Sequence, residues 1–298
     1  MSDELSAVGR KLADGVAFDH DDHRRLATAS DFVGLGMLAD EVRRQRHGDR
    51  ATYVQVARVA WDEAVGEVPE AGEIRLVGEI PRPETLIQRV AAAAASSSGT
   101  PVTGGDLMAT YRVCDGQIDA LGELLGAAAG AGLAALAEVA LDDLLSLDDQ
   151  GKAMALLEAV GASGLRVNRI WAREAAVDAA VTAFIRVADW GTAAAVCRSL
   201  APLFDDDPMQ PSTGYADLRQ VALARLLVDN IESIQVDWSR HGPKLAQVAL
   251  TFGADDLDAV PAESGDQGWR RAPREEVRRN IVAAGYTAVR RNGRFEAS

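Results

Sequence analysis

Two rhythms of hydrophobic positions alternate along this chain: short apolar runs, and longer stretches whose apolar residues recur three and four apart. The first long stretch covers residues 32–42, follows the capping candidates Ser30 and Asp31, and stops near His47-Gly48. It predicts an amphipathic helix ahead of the first strand. Strand-like runs then occupy residues 52–59, 74–77, a weak one within 100–113, 133–139, 165–170, 194–200, 233–236 and 256–260. Helical spacing fills 83–95, 118–129, 149–160, 173–188, 215–230 and 243–252. Eight strands separated by helices within about 210 residues predict the α/β class and a closed (β/α)8 barrel of TIM type. A doubly wound sheet of six strands is the alternative.

On this reading residues 1–50 form an N-terminal helical segment, 51–260 the barrel, and 261–298 a C-terminal extension. The extension pairs an amphipathic helix at 273–284 with a small hairpin around Asn292-Gly293. Between the first two strands only residues 60–72 remain, barely enough for one short helix and its turns.

Charge narrows the function classes. The chain has 298 residues, with 31 Lys and Arg against 45 Asp and Glu and a net charge of -14. Such a molecule repels phosphate backbones and anionic lipid surfaces, so neither nucleic acid nor membrane is an expected partner. A run of 18 apolar residues is absent, and the start MSDELSAVGRKLADG lacks the basic and apolar regions of a signal peptide. A cytoplasmic location is expected, with Cys114 and Cys197 reduced. Residues 269–298 carry a net charge of +5. They read either as an anion-binding tail or, more plainly, as arginines that pair with the acidic body of the same chain.

Several motifs dissolve on inspection. Gly34, Gly36 and Ala39 spell G-x-G-x-x-A, but a helix cap precedes them where a dinucleotide site needs a strand. His20, Asp21, Asp22 and His23 suit a helix start better than a metal site, and Asp205, Asp206 and Asp207 suit a solvated loop. The seventh strand is more informative. Ser233, Gln235 and Asp237 share one face, opposite Ile234 and Val236. In a barrel that polar face ends at the mouth, so Gln235, Asp237 and the following Trp238 are candidate ligand-binding residues. A merely structural polar layer is the competing reading.

The stretch that follows carries a resemblance. Ala222, Arg225, Leu226 and Asn230, then Ile234, Gln235 and Trp238, then Gly242, Lys244, Ala246, Gln247, Ala249, Leu250, Gly253, Ala254 and Asp256 resemble the C-terminal part of one radical-SAM family. That family includes aminofutalosine synthase, dehypoxanthine futalosine cyclase and the second subunit of the deazaflavin (F0) synthase. Leu35, Ala39, Val42, Arg43 and His47-Gly48-Asp49 resemble its helix before the first strand. The resemblance is strong over about residues 214–260, moderate at 31–57 and thin between. It implies a (β/α)8 barrel, S-adenosylmethionine and a [4Fe-4S] cluster as cofactors, and a link to futalosine-route menaquinone biosynthesis.

The family's chemistry requires a C-x-x-x-C-x-x-C loop directly after the first strand. Here the corresponding stretch is ARVAWDEAVGEVPEAG, which contains no cysteine. Its glycine-rich SAM turn is represented only by Gly78-Glu79, and its G-H-x-E-T is met by Trp171-Ala172-Arg173-Glu174. The expectation is a degenerate member with neither cofactor, acting as a binding or partner subunit. Expected partners are a small-molecule ligand and a cysteine-bearing paralogue or a second copy. The alternative is an iron-independent lyase or transferase using Asp237 and Glu174 as its carboxylates. A shortened first loop also predicts that Val59, Trp61, Val65 and Val68 lie near the surface as a partner patch.

Overall fold

The computed structural model describes residues 2–66, 71–147, 150–172, 177–203, 214–262 and 273–298. Three helices lead in: α1 (Asp3–Ala13), α2 (His20–Thr28) and α3 (Phe32–His47). The chain then runs β1 (Arg50–Ala60), β2 (Glu73–Val77), α4 (Pro83–Ser96), β3 (Val102–Asp106), α5 (Leu107–Val113), α6 (Ile118–Gly130) and β4 (Leu133–Ala140). Next come α7 (Leu141–Leu145), α8 (Gln150–Ala162), β5 (Val167–Trp171), α9 (Val177–Ala188), β6 (Cys197–Ala201) and α10 (Gly214–Leu227). It closes with β7 (Ser233–Asp237), α11 (Trp238–Leu250), β8 (Asp256–Pro261), α12 (Pro273–Ala283) and β9 (Thr287–Arg290). Strands β1 to β8 pair in parallel with their sequence neighbours, and β1 pairs with both β2 and β8, so the sheet closes into the expected barrel.

Where element and expectation differ, the cause is local. The weak third strand ends at Asp106 because that side chain caps α5, accepting the Ala109 N–H at 2.8 Å, so the chain turns helical. The sixth strand begins at Cys197 because residues 191–196 form a 3-10 turn. Helix α11 starts at Trp238, five residues before the expected start, because Asp237 caps it; Gly242, with φ 78°, breaks it just before Pro243. The described part of the β1–β2 connection holds no helix at all.

Among its described residues that connection leaves no apolar patch. Val59 and Trp61 are buried in the core, Val65 packs against it, and Val68 lies outside the described residues. The collapse depends on glycine: a Cβ at Gly104 would stand 2.8 Å from Leu76 Cβ and 3.2 Å from the Trp61 ring. The missing side chain on β3 lets the indole lie down where a longer loop would run.

The C-terminal tail is not a free-standing hairpin. Strand β9 adds in parallel to the beginning of β1, Arg50 opposite Thr287, and only a single antiparallel bridge, Arg291 to Ala297, follows it. Arg291 then reaches into the N-terminal end of the barrel and forks onto Asp256, Nε to Oδ1 at 2.6 Å and Nη2 to Oδ2 at 2.7 Å. Phe295 stacks 3.8 Å beneath that guanidinium, and Asn168 Nδ2 donates to the Gly293 carbonyl at 2.9 Å. The basic tail thus pairs with the acidic body and stoppers one end of the barrel.

On the outside, Phe32 packs on Phe252 with ring centroids 4.8 Å apart, and Gly36 faces the same ring, which accounts for the G-x-G-x-x-A pattern on α3. Asp19 and Asp22 form a reciprocal cap at the start of α2, as the His-Asp-Asp-His pattern suggested.

Candidate functional site

Strand alternation places charged residues along the inside of the barrel, where TIM barrels usually stack branched apolar side chains. Gln235 on β7 donates to Asp256 Oδ2 at 2.7 Å. Arg75 on β2 forks onto Asp258, at 2.9 and 2.8 Å, and its Nε donates to Glu73 at 2.7 Å. Thr103 donates to the same Glu73 oxygen at 2.6 Å. Arg169 on β5 bridges Asp237 Oδ2, at 3.0 Å, and Glu138 on β4. Burial alone would raise the Asp258 carboxyl, but Arg75, then Arg169 and Arg291, outweigh it and hold it well below the usual carboxylate range.

This lattice fills the middle of the barrel. Above it, at the C-terminal ends of the strands, remains a cavity of about 130 Å³ lined by Arg58, Gly78, Asp106, Glu138, Arg169 and Arg240, among others. Asp106 and Glu138 are register partners on β3 and β4. Burial pushes the Asp106 carboxyl up, helped by Glu138 and Asp143 and opposed by the Ala109 N–H and Arg112. At Glu138 burial acts in the same sense, but the Arg169 ion pair prevails and lowers it.

The sequence candidates fare unevenly. Gln235 and Asp237 do lie inside the barrel, with both Asp237 oxygens engaged, one by Arg169 and one by the Arg240 N–H. Asp237 is therefore a structural carboxylate rather than an open acid or base. Trp238 is not at the mouth: it is 4% exposed and belongs to the hydrophobic core, because the chain turns into α11 at Asp237 and strand alternation ends there. Gly78 lines the cavity, Glu79 is exposed, and Glu174 lies outside the described residues, as do Asp205, Asp206 and Asp207. The residues missed were Arg58, Asp106, Glu138 and Arg169. Applying to β1, β4 and β5 the alternation used on β7 would have exposed three of them.

A cluster that needs three thiolates after β1 finds none. Cys197 opens β6 at the opposite end of the barrel, Cys114 follows α5, and burial pushes both thiols up, away from the thiolate form. The residues present do not fit a [4Fe-4S] cluster. Among the described residues no group of three His, Cys, Asp or Glu side chains is arranged to hold a metal ion, and no helix is long and apolar enough to cross a membrane.

Comparison with known proteins places this geometry. Residues 208–298 match the family described as CofH/MqnC C-terminal region. Aminodeoxyfutalosine synthase of Streptomyces coelicolor is 37% identical over 94 residues, which are 29% of this chain and 24% of that protein. A 5-amino-6-(D-ribitylamino)uracil--L-tyrosine 4-hydroxyphenyl transferase of Methanosphaerula palustris is 52% identical over 52 residues, 17% of this chain and 14% of that protein. The matched segments therefore span about a quarter or less of these relatives. The crystal structure of methylornithine synthase (PylB) has a TM-score of 0.68 to this chain at 14% identity, covering 95% of this chain and 97% of the other, which confirms the barrel fold. Over residues 208–298 the chain is thus similar to the CofH/MqnC C-terminal region, and over its whole length it shares the barrel fold.

Proposed function

We propose that this chain is a binding barrel of the futalosine route of menaquinone biosynthesis, one that keeps the family fold and takes a small molecule at its mouth without cluster or radical chemistry. The observation that carries the reading is the β1–β2 connection: it has no thiol, and Trp61 occupies the core beside Gly104. The route is suggested by the aminodeoxyfutalosine synthases of Streptomyces coelicolor and Thermus thermophilus among its relatives. Unpaired buried cysteines suit a reducing compartment, and we place the protein in the cytoplasm. A cysteine-bearing paralogue or a second copy as partner gains nothing from the described residues of the first loop, since Val59 and Trp61 are buried and Val65 packs against the core.

The test is anaerobic incubation of the reduced protein with S-adenosylmethionine, with a cysteine-bearing family member as the positive control. The expected outcome is intact S-adenosylmethionine. Its cleavage at the control's rate would overturn the reading.

A further inference from the structure

The barrel mouth holds more than a polar layer needs. Its charged wall contains one buried donor without a partner: Arg169 uses both terminal nitrogens on Asp237 and Glu138, while its buried Nε has no hydrogen-bond partner among the described residues. The Arg169 side chain is 8% exposed, so water from bulk does not serve that donor freely. Arg58, at the end of β1, lines the same cavity from an exposed position. Opposite them Asp106 spends one carboxyl oxygen on the Ala109 N–H, leaving the other for a ligand. At about 130 Å³ the space is well below the roughly 300–1,000 Å³ of sites for drug-sized ligands, so it admits a small organic acid.

We propose that this mouth is a site for a small 2-oxo acid, whose carboxylate meets Arg58 and Arg169 while protonated Asp106 donates to the adjacent carbonyl oxygen. The inference rests on the reading that the mouth takes a small molecule, and it adds the ligand class and the proton donor. Every group facing Asp106 bears on its protonation. Glu138 from β4 and Asp143 from α7 favour the neutral carboxyl; Arg112 from α5 opposes it, as do Arg58, Arg75, Arg169 and Arg240 from β1, β2, β5 and α11 by their charge. Burial sides with the neutral form, and the outcome is a raised pKa. A carboxyl in that state at the end of a barrel strand, beside an ionised register partner, divides acid and base roles between two neighbours.

The test is calorimetric titration of the full chain with pyruvate and with acetate from about pH 4, the ordinary carboxylate value, upward to about pH 8. Pyruvate is expected to bind about tenfold tighter than acetate at the acid end, as one added hydrogen bond to a half-buried donor allows. That preference should fade as pH rises and Asp106 loses its proton. Asp106→Asn keeps the helix cap, since asparagine caps as well as aspartate, and its amide still donates. This variant is expected to retain the preference with no pH dependence. Arg58→Ala, a change at an exposed position, should weaken both acids by about tenfold through loss of a charge-assisted contact. No binding of either acid, equal affinities throughout, or an unchanged pH profile in Asp106→Asn would overturn the inference. The outcomes are separable: S-adenosylmethionine cleavage would sink the cluster-free reading, whereas failed pyruvate binding would sink only this one.

Discussion

Arg75 shows what a single side chain does in this barrel. It is 6% exposed and joins Glu73 and Asp258, two carboxylates that water barely reaches. Replacing it with Met keeps the aliphatic stem but removes the forked partner of Asp258 and the ion pair of Glu73, so a loss of about 3–5 kcal/mol is expected from urea unfolding. The pH dependence follows from the depressed Asp258 carboxyl. A group whose folded pKa lies below its unfolded value stabilises fully above the unfolded value, about 3.9, and loses that contribution as pH falls through the folded one. The urea midpoint of the native chain should therefore drop steeply below about pH 4, and Asp258→Asn should flatten that drop. Asp106 has the opposite sign. With its folded pKa raised, its favourable contribution is complete below the unfolded value and is lost as pH rises through the folded one. Asp106→Asn should consequently unfold at the same or a higher urea concentration at neutral pH; a clear loss of stability would mean that the carboxylate charge is needed there. At this scale the sequence was half legible. The alternation on β7 placed Gln235 and Asp237 correctly, and the same rule holds on β2 for Glu73 and Arg75 and on β8 for Asp256 and Asp258. What it could not convey is the partner of each charge, because Arg169 meets Asp237 across 68 residues of chain.

Among elements, the barrel strands were the most readable and the connections the least. Strand β4 is a short apolar run and β5 sets Asn168 and Arg169 between apolar residues, and the bounds of both fell within a residue or two of expectation. The β1–β2 connection misled, because a run with Val59, Trp61 and Val65 reads as an exposed patch unless Gly104, some forty residues on, is known to make room for the indole. Gly104→Ala sets a Cβ against Leu76 and the indole, and should cost about 1–3 kcal/mol as an overpacked site. Trp61→Ala leaves a cavity instead and should cost about 3–5 kcal/mol. Chemical denaturation of both variants checks the packing; a neutral Trp61→Ala would mean that the indole is not buried. Strand β9 misled differently: Asn292-Gly293 marks a turn, as expected, but the strand before it pairs with β1, a partner that local pattern cannot name.

For the molecule as a whole, an acidic body and a basic tail describe one closed object. The tail's Arg291 neutralises Asp256 at the N-terminal end, the lattice around Arg75 and Arg169 fills the middle, and a cavity remains at the C-terminal mouth. Strand count was enough to anticipate the barrel, and the family resemblance located the missing thiols. The mouth's own chemistry was out of reach, since it is assembled from strand ends far apart in sequence. Iron content after anaerobic reconstitution with iron and sulfide tests the proposal that this barrel works without a [4Fe-4S] cluster. After desalting, the chain is expected to retain no more iron than a Cys114→Ser/Cys197→Ser variant retains. Cluster-bound iron in stoichiometric amount, lost in that variant, would contradict it.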